Sequence, residues 1–303
     1  MIHELTEADL AEMTDICAKS LDLEPHPWTP ALVREKTLGA HDFDAALLLG
    51  YEIAGEVRGF TQAVARDHAG ERRGWVRLMA VNPAWQRQGI GSALLSEVER
   101  RLAERGVTRI GFMDVPANYL TPGVDFQYTA AACFLTKHGY HVTHTNLNLM
   151  CGLTSDEFED VDEDIVGFAQ RGITVRRAEE GDREAIAAWA RREFAGWEEE
   201  ILACYEQSPI SLWIALRGEE MLGFGAYDSN NVNTGHFGPT GLSEASRGLG
   251  LGRVLTRAAL RDQRRQGHRR AVIPWVGPIR FYSKCCGAWT DRIFWAFEKP
   301  LRG

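Results

Sequence analysis

The chain has 303 residues, 45% hydrophobic and 25% charged, with a net charge of −8 and a pI near 5.7. That length favours about two domains with substantial cores, and the acidic balance excludes a protein whose affinity comes from neutralising nucleic-acid phosphates. No apolar run reaches the roughly 20 residues that span a bilayer, and residues 1–10 lack the basic and apolar regions of a signal peptide, so the expectation is a cytoplasmic protein with no membrane partner.

In chain order, the first half opens with a short apolar start and an acidic, turn-like cluster leading into a helical pattern, "HELTEADLAEM" from His3. Two strand-like runs joined at a turn follow, "AALLLGYEIAGEVRGFTQAV", then a further strand, "GWVRLMAV", and the loop "WQRQGIGSALL". The helix after the loop sets Leu94, Leu95, Val98 and Leu102 on one face and closes at Gly106, a residue suited to a left-handed cap. A strand, "TRIGFMDV", and an insertion, "PANYLTPGVDFQYTAA", complete this half.

The second half repeats that order. "VRRAEEGDREAI", "LWIALRGEEMLGFGAY", "GHFGPTGL", "ASRGLGLGRVL" and "RRAVIPWV" stand for the same elements, and an offset of 161 residues maps Gly89, Gly91 and Gly106 onto Gly250, Gly252 and Gly267. The expected division is a first domain at 1–153, an acidic connector at 154–172 and a second domain at 173–303. The seven carboxylates of the connector read as a solvated face or, alternatively, as an acidic recognition segment. Six cysteines, at 17, 133, 151, 204, 285 and 286, have neither metal-ligand nor disulfide-scaffold spacing, so reduced thiols and no metal are expected; the adjacent Cys285 and Cys286 have no evident role.

A loop that carries a strand into a helix N-terminus exposes backbone N–H groups and the positive end of the helix dipole. Glycines there either shape turns or let a phosphate approach the backbone; duplication in the same context favours the phosphate. The residues do not fit a nucleoside-triphosphate loop, which ends in Gly-Lys-Ser/Thr, and Leu94 and Leu255 stand where a dinucleotide fingerprint needs its third glycine.

Gln86-x-x-Gly89-x-Gly91 and Arg247-x-x-Gly250-x-Gly252, with "FLTKHGY" and "FYSKCCGAW" further on, resemble the GNAT superfamily of acyl-coenzyme A dependent N-acyltransferases. The resemblance covers both halves and implies an α/β protein of two tandem GNAT-like domains, each a mixed twisted sheet flanked by helices and split between its fourth and fifth strands. It implies acetyl-CoA as acyl donor, its pyrophosphate on the backbone of Gln86, Arg87, Gln88, Gly89, Ile90, Gly91 and Ser92, and of Arg247, Gly248, Leu249, Gly250, Leu251, Gly252 and Arg253. Met79 and Val81, and Thr240 and Leu242, would line the pantetheine arm.

Carried over residue by residue, the family's base position holds His236 in the second half and Trp75 in the first, and its acid position holds Tyr282 and Leu135. His236 reads either as a base or as a structural histidine near a Gly-Pro bend, and Tyr282 either as the acid or as a packing aromatic. The second half is thus expected to be the working one and the first to be non-catalytic, binding coenzyme without turnover or serving as scaffold; the alternative for the first half is catalysis by Tyr119, Tyr128 or Asp125 of its insertion. Phe194 and Trp197 fall where the family's acceptor helices lie, or on an ordinary apolar helix face. The second half departs from the family in lacking an asparagine shortly before Phe281 and in the longer "KCCGA". The implied function is acetyl transfer to a primary amine, on a small molecule or peptide, by direct attack; the alternative is a silent coenzyme A or small-ligand binding protein. A monomer with pseudo-dimeric halves and a homodimer both fit.

Overall fold

A computed structural model of the chain describes residues 1–22 and 27–301. It divides into two compact units, residues 1–146 with the segment from Ile293 onward, and residues 147–292. Each is a mixed α/β layer structure.

Unit 1 runs β1 (Ile2–Glu4), α1 (Leu10–Ser20), α2 (Pro30–Lys36), β2 (Leu48–Ile53), β3 (Glu56–His68), β4 (Glu71–Val81), α3 (Ile90–Glu104), β5 (Arg109–Phe112), β6 (Val124–Asp125), α4 (Thr129–Lys137) and the start of β7 (His141–Gly152). β1 to β4 form an antiparallel meander, and β5 joins β4 in parallel, pairing Arg73–Val76 with Arg109–Phe112. Beyond Val76 the two strands part, and β4 carries an extra residue, Arg77, against β3. The start of α1 is fixed by Thr6 and Asp9, each bonding the other's backbone or side chain in a capping box. Leu94, Leu95, Val98 and Leu102, the stripe read from the sequence, are fully buried against the meander.

Unit 2 contains the rest of β7, then α5 (Val161–Ala169), β8 (Thr174–Arg177), α6 (Arg183–Glu193), α7 (Glu198–Ala203), β9 (Leu212–Arg217), β10 (Glu220–Tyr227), β11 (Phe237–Leu242), α8 (Leu251–Arg265), β12 (Arg270–Ile273), α9 (Ile279–Cys286) and the first residues of β13 (Trp289–Pro300). β8 to β11 repeat the meander. The irregularity in β11 falls at Gly238–Pro239, and Gly238 lies 161 residues after Arg77. β12 pairs with the chain entering β11 through one parallel bridge, His236↔Val272, the same offset from the pair Trp75↔Gly111 of unit 1. The repeat read from the sequence is therefore kept in strand register.

The division differs from the expected boundaries at 153 and 173. In unit 1, β13 lies beside β5, from Phe297↔Phe112 to Pro300↔Arg109, and buries Phe294 and Phe297. In unit 2, residues 149–152 of β7 pair with β12, and Leu149 and Cys151 enter the core. Each unit is closed by the strand that the other half's sequence would supply.

The acidic segment is not a solvated connector. Its carboxylates line α8: Asp164 pairs with Arg253 at 2.5 Å, Asp160 with Arg257, Asp162 with Arg261 at 2.6 Å, Glu159 with Arg264 and Arg265 at 2.9 and 2.5 Å, and Asp156 with Arg264. Phe158 and Phe168 anchor the segment in the core, and the Arg257 guanidinium lies over the Phe158 ring. Arg257 and Arg261 are consequently buried, so that α8 is enclosed on faces its sequence pattern would leave to water.

The strand assignment has a direct test. Arg109 and Pro300 are partners at the exposed end of the β5–β13 ladder, and cysteines at such antiparallel partners lie within disulfide range. Arg109→Cys combined with Pro300→Cys is expected to give an intramolecular 109–300 disulfide on mild oxidation, identified by mass after proteolysis. A β13 that stayed with its own half would leave both thiols free.

Candidate active site

The two glycine loops have the same backbone shape. Gly89 and Gly250 are the N-caps of α3 and α8, with φ of +86° and +91°, and residues two before them, Arg87 and Gly248, are also left-handed at +63° and +81°. Alternating left-handed residues turn successive N–H groups toward one side, making an anion-binding concavity at the positive end of a helix. Neither cap supplies a side chain that would occupy those donors. The second glycine of each pair faces side chains: a Cβ on Gly91 would make ordinary contact with Phe134 and Met79 at 3.5 and 3.6 Å, and one on Gly252 would press slightly on Phe281 at 3.3 Å. Gln86 is held by its own side chain, which donates to the Val81 carbonyl at 3.0 Å.

Beside the unit 2 loop lies a cleft of about 360 Å³ lined by Arg253, Arg280, Phe281, Lys284 and Cys285. Three cations over an apolar floor, one of them (Arg253) shared with the Asp164 carboxylate at 2.5 Å, suit a phosphorylated ring system. The matching unit 1 positions hold Ser92, Cys133, Phe134, Lys137 and His138, with a single permanent cation, and there Ser92 Oγ lies 3.0 Å from His138 Nε2. The residues of unit 2 thus fit a coenzyme with phosphate groups better than those of unit 1, although both loops have the required backbone.

Tyr282 is buried on α9, edge-on to Phe281 and Phe237 with ring centroids at 4.9 and 6.1 Å. Burial chiefly, then the neighbouring Cys286 and Cys285 thiols, push its phenol well above the ordinary value, with the Thr240 hydroxyl acting the other way. The phenol stays protonated at neutral pH and adjoins β11 at the residue expected on the pantetheine arm. His236 is buried at the foot of β11, where its carbonyl accepts from Gln263 Nε2 at 2.9 Å and from the Asp228 N–H at 3.1 Å. Those bonds and the bridge to Val272 fix its backbone at the point where the strands part.

Phe194 and Trp197 stack at 5.2 Å, with Trp189 and Phe224 around them. Phe194 packs against Gly241, whose missing Cβ would lie 2.8 Å from the ring. Because strand residues alternate, this cluster sits on the face of β11 opposite Thr240 and Leu242, and the structure does not bring it to Tyr282. Thiols at α9 bond backbone: Cys286 Sγ donates to the Tyr282 carbonyl at 3.2 Å, and Cys151 Sγ, from β7, to the Cys286 carbonyl at 3.1 Å. Among the described residues no group of three or more His, Cys, Asp or Glu is placed to hold a metal ion, and no described helix is long and apolar enough to cross a membrane.

In unit 1, Trp75 and the fully buried Leu135 occupy the two corresponding positions. The insertion residues are engaged in structure: the Tyr128 hydroxyl accepts from the Asp22 N–H at 2.6 Å, Asp125 Oδ1 accepts from the Gln127 N–H at 2.9 Å, and Tyr119 is buried. The sequence reading passed over Asp114. Burial pushes its carboxyl up to about 7, against the opposing Arg73 charge. The signal was available, because the 161-residue offset sets Asp114 against Trp275.

The family model for the acetyltransferase (GNAT) family matches twice, at residues 10–126 and 176–288, which together make up more than half of the chain. The chain belongs to that family and is an acetyltransferase with two GNAT-like halves. No curated protein matches the sequence. Among solved structures, the GCN5-related glucosamine N-acetyltransferase region of a fungal multi-domain GH3 beta-N-acetylglucosaminidase matches 98% of this chain at 16% identity and a TM-score of 0.77; the chain spans 38% of that protein. The tandem GNAT protein from the clavulanic acid biosynthesis pathway matches at 15% identity and a TM-score of 0.70, covering 99% of this chain and 98% of its own. A GCN5-related N-acetyltransferase from Sphaerobacter thermophilus matches at 15% and 0.69, over 100% and 96%. At such identities the likeness is one of fold.

A raised carboxyl pKa makes a stability prediction. Between its ordinary value of 3.8 and about 7, Asp114 holds its proton in the folded chain and has lost it in the unfolded one, so its contribution to stability falls as pH rises through that window. Asp114→Asn removes the titration. The melting temperature of the variant relative to the native protein is expected to climb from pH 4 to pH 7 and level off above; a constant difference would show that Asp114 titrates normally.

Proposed function

We propose that the protein transfers an acetyl group from acetyl coenzyme A to a primary amine by direct attack, and that unit 2 is a working site with Tyr282 as acid and His236 as base. The observation that carries this reading is the conjunction, in one unit, of the glycine loop, the three-cation cleft and a protonated phenol on α9 beside the strand that parts from its neighbour.

When bound, the coenzyme supplies a thioester carbonyl and a thiolate leaving group. The backbone of residues 247–253 and the cations Arg253, Arg280 and Lys284 hold its phosphates, and the free edge of β11 at Thr240 and Leu242 offers hydrogen bonds to its arm. His236 takes a proton from the incoming ammonium, and the Thr240 N–H stabilises charge on the carbonyl oxygen as the C–N bond forms. The Tyr282 phenol gives its proton to the departing sulfur. Binding without turnover is the competing reading; the presence of a phenol at the acid position of unit 2, where unit 1 has Leu135, favours catalysis. The free thiols and the coenzyme requirement suit a cytoplasmic reaction.

Tyr282→Phe keeps the ring and removes the donor. Measured as free thiol over a panel of small amines, amino sugars including glucosamine, and peptide amines, the rate on unit 2 acceptors is expected to fall by roughly 10²-fold with coenzyme binding unchanged by calorimetry. An undiminished rate on every acceptor rejects Tyr282 as the acid.

Gly250→Val adds a side chain to the phosphate concavity and to a left-handed cap. It is expected to weaken coenzyme A binding by at least tenfold at unit 2, whereas Gly89→Val acts at unit 1 alone. Calorimetric affinities unchanged in both variants reject phosphate binding by these loops.

A further inference from the structure

The 161-residue offset that aligns the glycine loops also aligns the points at which the strands part. It places Trp75 against His236 and Asp114 against Trp275. Each unit therefore carries one tryptophan and one titratable side chain there, but on exchanged strands: the titratable residue stands at the foot of β11 in unit 2 and just past β5 in unit 1. In unit 1 the ladder ends at Val76↔Phe112, the Met113 N–H donates to the Val76 carbonyl at 2.8 Å, and Asp114 comes next.

The carboxyl and the indole converge on one spot. A Cβ built on Gly111 would lie 2.7 Å from Asp114 Oδ1 and 2.5 Å from the Trp75 ring, so the bare glycine gives both groups their room. Asp114 Oδ1 is buried and has no hydrogen-bond partner among the described residues. The insertion residues nearest in chemistry, Tyr128 and Asp125, are already bonded to backbone.

We propose that Asp114 is the proton acceptor of a second acyl-transfer site, in unit 1, whose acceptor is a primary amine. This rests on the acetyl-transfer chemistry proposed above. The carboxylate takes one proton from the ammonium, and the nitrogen lone pair forms the C–N bond to the thioester carbon. The C–S bond breaks with its electron pair on sulfur, the thiolate takes a second proton from nitrogen, and Asp114 returns the first to water. No phenol is needed in that sequence, in keeping with Leu135 at the acid position.

The charged and titratable groups around Asp114 are Arg73 on β4, which lies over Trp75 at 5.1 Å and pairs with Glu298 of β13 at 2.5 Å, and His68 of β3, edge-on to Trp75 at 5.6 Å. Arg66 of β3 bonds the Pro116 carbonyl nearby at 2.8 Å. Burial raises the Asp114 carboxyl, while backbone N–H groups of Asp114 and Phe112 and the Arg73 charge, itself shared with Glu298, offset only part of that cost, which leaves a carboxyl that exchanges its proton near neutrality, where a general base works best.

The test compares thiol release over the same amine panel in the native protein, in His236→Ala/Tyr282→Phe, and in both after Asp114→Asn. The expected result is a residual rate in the double variant, rising with pH to a plateau with a midpoint near 7, and cut by a further 10²-fold or so by Asp114→Asn. A melting temperature of Asp114→Asn at or above native shows that the loss is not unfolding. If the native protein transfers but the double variant does not, or if Asp114→Asn leaves its residual rate and pH profile unchanged, the second site is wrong while the unit 2 reading stands. If the native protein releases thiol with no amine, both fall.

Discussion

The parting of the fourth and fifth strands is the constraint on which the rest depends. Two parallel strands that separate leave a row of backbone N–H and C=O groups without partners on each facing edge, a state that buried backbone avoids. Unit 2 takes it to the limit, with the single bridge His236↔Val272 holding β11 to β12. Whatever enters the gap is measured against those vacated bonds, which favours an extended chain bearing amides. The helix that leaves the end of β11 begins at a left-handed glycine, so its free donors stand at the mouth of the same gap, and the helix that follows β12 brings Tyr282 to its inner edge. Strand separation, loop and acid are thus one geometrical arrangement.

A gap of that kind weakens the sheet, and the chain restores closure elsewhere. β13 binds β5 in unit 1, and the second part of β7 binds β12 in unit 2, so the outer edge of each fifth strand is covered. In unit 2 the outer helix is secured as well, by carboxylates that reach five arginines of α8. Arg257 and Arg261 could not be buried without them, since an unpaired buried guanidinium costs several kcal/mol. The segment that satisfies these arginines also presents Phe168 to Gly250 and Asp164 to Arg253, so the linker helix shapes the coenzyme loop from behind.

Local chemistry made much of this legible in the sequence. Paired glycines before an amphipathic helix, caps at Gly106 and Gly267, and a constant offset are short-range signals, and the register at Trp75↔Gly111 and His236↔Val272 keeps that offset. The closing strands were not legible, because β7 and β13 are both twelve residues long and backbone pairing carries no label saying which edge a strand must join. The acidic segment misled for a related reason. Its partners lie about a hundred residues away, and a run of carboxylates looks the same whether it faces water or a row of guanidiniums. Asp114 escaped notice because its spacing was visible but its burial was not.

Duplication explains why the two units differ where they do. The space at the parting point accepts one flat aromatic ring beside one polar group, and either strand can supply either of them. Once Trp75 stands on β4, that strand position carries no base, and a carboxyl just past β5 turns back over Gly111 beside the indole. The acid position is under a different constraint, because a phenol on α9 must be held against β11 to stay close to the departing sulfur, whereas Leu135 on α4 is simply part of the core. A unit without that phenol must return its leaving thiolate to the thiol with protons from nitrogen or water, which selects for acceptors whose nitrogen gives up its second proton readily. On the chemistry proposed above, the two units would differ in acceptor, and the three cations beside the unit 2 loop against the single cation of unit 1 would add a difference in coenzyme affinity in the same direction.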